Sequence, residues 1–143
     1  MPVSSLSPFH LAIPVHDLQA AREFYGGLLG CTEGRRSDQW VDFNFYGHQL
    51  VCHADPGMRT GPALHTPVDR DQVPVPHFGL VLDMASWERL RDRLEQAETG
   101  FVIPPRVRFR GQAGEQATLF ISDPSGNALE FKAFHDPARI FAR

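Results

Sequence analysis

PFHLAIPV at residues 8–15 and PHFGLVL at residues 76–82 are two short apolar runs, and each carries a histidine close to its start. Each run passes an aspartate, Asp17 or Asp83, and continues into an amphipathic pattern with helical spacing. Asp17 or a neighbour can cap the first helix and Asp83 or Ser86 the second, so we predict a strand followed by a helix at both places. The positions that recur on one face of the second predicted helix are Trp87, Leu90, Leu94 and Ala97.

Strand patterns follow each predicted helix. They cover residues 39–45, 48–53, 106–110, 116–121 and 128–134. Turn sequences separate them, and the strongest is DPSGN at residues 123–127, since Asp, Pro, Ser, Gly and Asn each favour turns. Two of these patterns follow the first helix and three follow the second. We take both halves to have the order of a strand, a helix and three strands, which indicates duplication of a βαβββ module.

We therefore predict an α+β fold in a single domain over residues 1–143. The two βαβββ modules in tandem would form a curved mixed β-sheet around a cavity, with the helices on the outer face. Module one covers about residues 6–56 and module two about residues 74–135. The segment between them, about residues 57–73, is rich in Pro, Gly and Asp. We expect it to be an ordered connecting loop or a mobile flap.

The composition is that of an ordinary globular protein, with 42% hydrophobic and 22% charged residues. The net charge of −3 and the absence of a basic cluster argue against a nucleic-acid-binding surface. No apolar run is long enough to span a membrane, and the first residues lack the basic and apolar regions of a signal peptide. We therefore expect a cytoplasmic protein in which Cys31 and Cys52 are reduced, buried thiols.

His10 and His77 occupy matched positions in the two modules, so duplication would hold both imidazoles about one point. Glu130 lies between Leu129 and Phe131 in the last predicted strand, where alternation turns its carboxylate away from the helix and into the cavity. Two histidines and one carboxylate are the ligand set typical of non-haem Fe(II), and they also bind Mn(II), Ni(II) or Zn(II). The alternative is two unrelated histidines and a surface glutamate, and the matched positions favour the metal site.

His53 has the same strand parity as Val51, so we expect it to point into the same cavity. Because an imidazole titrates near neutral pH, His53 is our candidate for a general acid/base. The alternative is a histidine at a loop edge with no catalytic role.

The residues predicted to bind substrate are Gln49, Arg108, Arg110 and Gln116. Gln49 shares the strand face of His53, and the two arginines alternate with Arg106 along one predicted strand face. Arginines so placed can bind a substrate carboxylate through paired hydrogen bonds. Gln116 follows a Gly-rich loop together with Glu115 and would lie at the rim of the pocket. The alternatives are a structural role for Gln49 and a solvated edge strand for the arginines.

Nearly the whole chain resembles the vicinal oxygen chelate superfamily, which includes glyoxalase I, extradiol dioxygenases, fosfomycin-resistance proteins and bleomycin-binding proteins. The segments that carry the resemblance are FHLAIPV at 9–15, DL at 17–18, AREFY at 21–25, LLG at 28–30, PHFG at 76–79 and DPSGNALEF at 123–131. These motifs are typical of the superfamily as a whole and not of one reaction.

The resemblance implies metal ligands on the first and last strands of each module. His10, His77 and Glu130 match three of those places, and the fourth falls near Val51, which cannot bind a metal. Glyoxalase I-like enzymes are expected to have a carboxylate there, so the set resembles that of the extradiol dioxygenases. Residues 108–116 and 130–134 further resemble short bacterial proteins described as predicted extradiol-type dioxygenases.

The leading hypothesis is thus a dioxygenase that uses Fe(II) or Mn(II), or else Zn(II) or Ni(II), on a catechol-like or other vicinal-oxygen small molecule, with His53 moving protons. The second is a glyoxalase-like isomerase, lyase or thiol transferase that uses the same ions without oxygen. The third is a non-catalytic protein that binds a small aromatic or drug molecule. The resemblance also predicts a homodimer, with the metal site either within one chain or shared between two.

Overall fold

The computed structural model describes residues 6–59 and 61–143 of the chain. The chain divides into two compact units, Met1–Arg59 and Thr60–Arg143. Residues 1–5, on which the expectation of no signal peptide partly rests, lie outside the described residues, as does Thr60 in the predicted connecting loop. Within the described part of the chain, every helix is too short or too polar to cross a membrane.

The first unit is built on a four-stranded mixed sheet. Its elements are β1 (His10–Val15), α1 (Leu18–Ala21), a π-helical segment (Arg22–Leu28), β2 (Thr32–Arg36), β3 (Trp40–Phe45) and β4 (His48–Ala54). The strand order is β1-β4-β3-β2, with β1 parallel to β4 and the other pairs antiparallel. As predicted, Asp17 caps α1, since its carboxylate accepts a hydrogen bond from the amide of Ala20.

The second unit repeats this sheet and adds a hairpin before it. Its elements are β5 (Leu64–Val68), β6 (Asp71–Val75), β7 (His77–Val81), α2 (Met84–Gln96), β8 (Phe101–Arg108), β9 (Gln116–Ser122), β10 (Ala128–Phe134) and a 3₁₀ turn (Pro137–Arg139). The strand order β7-β10-β9-β8, with β7 parallel to β10, is the order of the first sheet. The prediction of two βαβββ modules in an α+β fold is therefore confirmed.

Helix α2 covers the apolar face of the second sheet. Trp87, Leu90 and Leu94 are its buried residues, as the helical spacing predicted, whereas Ala97 is the C-cap of the helix and is exposed. The Trp87 indole donates a 2.9 Å hydrogen bond to the carbonyl of Phe131 in β10. Asp83 caps the helix by accepting hydrogen bonds from Ser86. These bonds, from the Ser86 hydroxyl first and its backbone amide second, lower the pKa of Asp83 below its ordinary value.

The predicted connecting loop is in part a hairpin. Strands β5 and β6 pair antiparallel, and the chain turns between them at Asp69 and Arg70, both of which have positive φ. Val73 in β6 is buried against Ile103 and Phe120, so the hairpin packs on the second sheet. The Pro, Gly and Asp content predicted a loop. A two-stranded hairpin has a similar composition, because its turn favours such residues and its unpaired positions tolerate proline.

One predicted strand differs clearly from the observed one at both of its ends. The strand predicted over residues 106–110 begins earlier, at Phe101, and ends at Arg108, because Phe109 has a φ of 53° and turns the chain. Arg110 is therefore exposed beyond the strand and does not alternate with Arg108 along it.

Cys31 and Cys52 are buried thiols without a disulfide, as expected.

Gly79 in β7 has no room for a side chain, because the backbone of β10 lies against it. A Cβ at this position would lie 1.6 Å from the carbonyl oxygen of Glu130, which is backbone and has little room to shift. We expect Gly79→Ala to lower the free energy of unfolding by about 1–3 kcal/mol or more, the range for overpacked interiors. Gly100→Ala is the control, because a Cβ there meets nothing within 4 Å. Urea unfolding of both variants measures the difference, and equal stabilities would contradict the strand packing.

Candidate metal site

The turn before β10 sets the position of Glu130. The buried Asp123 carboxylate accepts 2.9 Å hydrogen bonds from the amides of Ser125 and Asn127 and from the Asn127 side chain. Gly126 takes a φ of 85°, a conformation that favours glycine. This turn joins β9 to β10 in register and places Glu130 opposite Phe120 in β9 and Gly79 in β7.

His77 and Glu130 meet on the sheet face opposite to α2. Nε2 of His77 lies 3.2 Å from Oε1 of Glu130, and the second carboxylate oxygen accepts a 2.5 Å hydrogen bond from the hydroxyl of Thr118. Nδ1 of His77 lies 2.7 Å from the carbonyl oxygen of Pro74. Because a carbonyl only accepts, Nδ1 carries a proton and donates it. The imidazole of His77 and the Phe120 ring pack nearly perpendicular to each other, with the ring centres 4.9 Å apart.

The contact between His77 and Glu130 raises the pKa of the histidine and contributes to lowering that of the glutamate. The hydrogen bond to Glu130 raises the pKa of His77 above its ordinary value, against the opposing effect of burial. Burial is the largest single influence on the pKa of Glu130 and raises it, but hydrogen bonds from His77 and Thr118 and the charge of Lys132 together lower it by more. The metal-free pair therefore favours an imidazolium beside a carboxylate.

The two ligand atoms have a spacing that suits one ion. Metal–ligand bonds of about 2.1 Å at an angle of about 90° place two ligand atoms about 3 Å apart, and the observed separation is 3.2 Å. Among residues 6–59 no three His, Cys, Asp or Glu side chains lie together in a way that could hold a metal, and the same holds among residues 61–143. His77 and Glu130 are thus a pair of candidate metal ligands within the second unit.

In the first unit His10 begins a chain of hydrogen bonds. Its Nδ1 lies 2.9 Å from Oε1 of Gln49 in the adjacent strand. Nε2 of Gln49 donates a 3.2 Å hydrogen bond to Oδ2 of Asp42 in β3. Asp42 is buried, and sequence reasoning missed it. Its parity in β3, shared with Trp40 and Asn44, was the signal that could have found it.

The strand registers confirm that Val51 and Glu130 occupy equivalent places. Val51 lies opposite Ala12, two residues after His10, and Glu130 lies opposite Gly79, two residues after His77. The first unit therefore has an apolar side chain where the second has a carboxylate. Thr118, whose hydroxyl orients Glu130, also escaped the sequence analysis, because its contact depends on the β9–β10 register.

His53 is exposed in β4 and lies in register with Trp40 and Pro14. By alternation it shares the sheet face of Gln49 and Val51, as the sequence predicted. Its acid/base role stays a prediction.

Two of the predicted substrate-binding residues, Arg108 and Gln116, are buried and form polar contacts within the protein. Arg108 is buried, forms a 3.0 Å ion pair with Asp71, and lies over the Phe120 ring at 5.7 Å. Gln116 is buried and donates a 3.2 Å hydrogen bond to the carbonyl of Gly114. Their substrate contacts, together with those of Gln49 and Arg110, remain predictions.

The chain matches the family model of the glyoxalase/bleomycin resistance protein/dioxygenase superfamily over residues 7–131. It is 33% identical to a glyoxalase/bleomycin resistance protein/dioxygenase from Alicyclobacillus acidocaldarius, with a TM-score of 0.77 over 94% of this chain and 96% of that one. Two more distant structures share the fold. They are a lactoylglutathione lyase from Agrobacterium tumefaciens (22% identity, TM-score 0.63, all of both chains) and the fosfomycin resistance protein FosX from Listeria monocytogenes (15% identity, TM-score 0.65, 96% and 99%). The comparison with curated proteins gave no match.

Replacing Glu130 should change the titration of His77 in the metal-free protein. Glu130→Gln removes the charge and the acceptor that raise the pKa of His77 while leaving the opposing burial in place, so this pKa should fall. An NMR titration of the His77 ring protons measures the change. Glu115 is a half-buried acidic residue of the same unit that pairs with His135, and Glu115→Gln should leave the His77 titration as it is. An unchanged pKa in Glu130→Gln would contradict the His77–Glu130 contact.

Proposed function

Because the chain belongs to the glyoxalase/bleomycin resistance protein/dioxygenase superfamily, we propose that it is a metal-dependent enzyme in which His10, His77 and Glu130 bind one divalent ion. Members of this superfamily are mostly enzymes and generally bind divalent metals. The observation that carries the proposal is the 3.2 Å approach of His77 Nε2 to Glu130 Oε1. It brings an imidazole nitrogen and a carboxylate oxygen to one point, and both are ligand types of first-row metals.

The surroundings of the pair support this assignment. The Pro74 carbonyl holds Nδ1 of His77, so Nε2 is the atom directed at Glu130. The Thr118 hydroxyl holds the other oxygen of Glu130. Outer hydrogen bonds of this kind fix the orientation of metal ligands and are a general feature of metal sites.

His10 is the proposed third ligand. It begins β1 as His77 begins β7, and in both sheets this strand pairs in parallel with the last strand of its module. We propose that the protein is a cytoplasmic homodimer, as oligomers are typical of the superfamily. In such a dimer His10 could come from the same chain or from the second chain.

The proposed reaction is that of an extradiol-type dioxygenase on a catechol-like small molecule, with Fe(II) or Mn(II) as the favoured ion. A bound ion would act as a Lewis acid and template for two vicinal oxygens of the substrate. The apolar Val51 at the fourth ligand place supports this reaction over that of a glyoxalase, because three protein ligands leave more coordination positions open. His53 is the proposed acceptor of a substrate hydroxyl proton, since it shares the face of Val51.

Four residues complete the proposal as substrate contacts: Gln49, Arg108, Arg110 and Gln116. Arg108 has the best support, because its guanidinium lies over the Phe120 ring and the His77 imidazole packs against the same ring. Nε of Arg108 is buried without a hydrogen-bond partner among the described residues. Such a donor would stabilise an anionic oxygen of a substrate.

Metal content is the direct test of the ligand set. We expect purified protein to bind one divalent ion per proposed site, and His10→Ala, His77→Ala and Glu130→Gln each to weaken binding by at least about 10–100-fold, the loss seen even for outer contacts. His65→Ala, an exposed histidine in β5 outside the set, should bind like the wild type. Elemental analysis and competition with a chromogenic chelator measure the affinities. Equal binding by all four variants would reject the ligand set.

Oxygen uptake tests the reaction. Protein loaded anaerobically with Fe(II) or Mn(II) should consume oxygen when given a panel of catechols. His53→Gln should retain the metal and lose about 10²–10⁴-fold in turnover, the usual contribution of general acid/base catalysis. His48→Gln is a matched control on the same strand, since His48 accepts a hydrogen bond from the backbone of Phe9 and is outside the proposed site. Metal-dependent turnover of thiol adducts without oxygen uptake would replace the dioxygenase proposal with an isomerase, lyase or transferase.

A further inference from the structure

A buried carboxylate in the first unit lies at the end of the hydrogen-bond chain that begins at His10. Asp42 is 9% exposed, and its Oδ2 accepts the hydrogen bond from Gln49. Its Oδ1 is buried without a hydrogen-bond partner among the described residues. Burying a carboxylate oxygen without a hydrogen bond is unfavourable, so packing alone does not explain the position of Asp42.

The sheet is shaped to hold this carboxylate. Gly34 lies beside it in β2, and a Cβ at residue 34 would be 2.8 Å from Oδ1 of Asp42 and 3.2 Å from its Cγ. Gly34 does not have a positive φ, so the turn geometry does not require glycine here. The missing side chain instead leaves the space that the Asp42 carboxylate occupies.

The carboxylate determines which way the Gln49 amide points. An ionised carboxylate can only accept hydrogen bonds, so the amide nitrogen of Gln49 must face Asp42. The amide oxygen of Gln49 then faces Nδ1 of His10. Because an amide oxygen also only accepts, the proton of a neutral His10 must reside on Nδ1, and Nε2 keeps its lone pair.

We propose that Asp42 is a positioning residue that acts through Gln49 to hold His10 in its Nδ1–H tautomer, with the Nε2 lone pair available to bind metal. This role gives Gln49 a function other than substrate binding. Metal-binding histidines generally donate their second ring nitrogen to an oxygen acceptor. The inference rests on the proposed function only for the use of Nε2, because the tautomer itself is a property of the metal-free protein.

Asp42→Asn is the sharpest variant, because it keeps the shape of the side chain and supplies both a donor and an acceptor. The Gln49 amide can then turn over and donate to Nδ1 of His10, which stabilises the Nε2–H tautomer. Long-range ¹H–¹⁵N NMR of histidine-labelled, metal-free protein at about pH 8.5, above the ordinary pKa of histidine, distinguishes the two forms. We expect mainly Nδ1–H in the wild type and a clear shift towards Nε2–H in Asp42→Asn.

Two further variants separate positioning from general disruption. Asp38→Asn removes the same charge from an exposed site between β2 and β3 and should leave the His10 tautomer unchanged. Gly34→Ala keeps Asp42 but displaces its carboxylate, so it should shift the tautomer in the same direction as Asp42→Asn. It also provides the test if Asp42→Asn does not fold.

Metal affinity, measured by Co(II) competition, completes the experiment. Asp42→Asn should bind about 10–100-fold more weakly than the wild type, while Asp38→Asn should not. A wild-type tautomer in both Asp42→Asn and Gly34→Ala would overturn the inference whatever the metal results. A shifted tautomer in a protein that binds no metal would uphold the positioning role and reject the proposed function, so the two failures are distinguishable.

Discussion

The parallel pairing of β7 with β10 is the constraint on which the candidate site depends. It sets Glu130 opposite Gly79, two residues beyond His77, on the face that points away from α2. A slip of one residue would turn every side chain of β10 to the other face. Glu130 would then face the apolar side of α2, where a carboxylate has no partner. The register that forms the apolar core therefore also forms the polar site.

The sequence predicted those parts of the molecule that follow from local pattern. Alternation and helical spacing were sufficient for the two modules, for the core face of α2, and for the face on which Glu130 lies. Asp42 and Thr118 were missed, because each acquires its role from a neighbour on another strand. The β5–β6 hairpin was missed because its proline and glycine content is that of a loop, and its pairing depends on packing against the second sheet.

The two modules have the same strand arrangement but different side chains at equivalent positions. The β1–β4 register repeats in β7–β10, which makes positions equivalent in pairs. Three of the equivalent pairs that differ in chemistry are Gln49 with Ala128, Val51 with Glu130, and Asp42 with Phe120. The carboxylate is thus on the last strand of the second module but one strand further across in the first. A carboxylate beside an imidazole can be its co-ligand, whereas one separated from it by an amide can only orient it.

The two histidines have different acceptors for Nδ1: a backbone carbonyl for His77 and a side-chain amide for His10. Strand β6 directly precedes His77 and supplies the Pro74 carbonyl as the acceptor for its Nδ1. The acceptor for Nδ1 of His10 is instead the side chain of Gln49 on β4. A backbone carbonyl has a fixed direction, but an amide can turn over, and it requires a further group to hold it. The equivalent position in the second module is the small Ala128, which fits a histidine already held by the backbone.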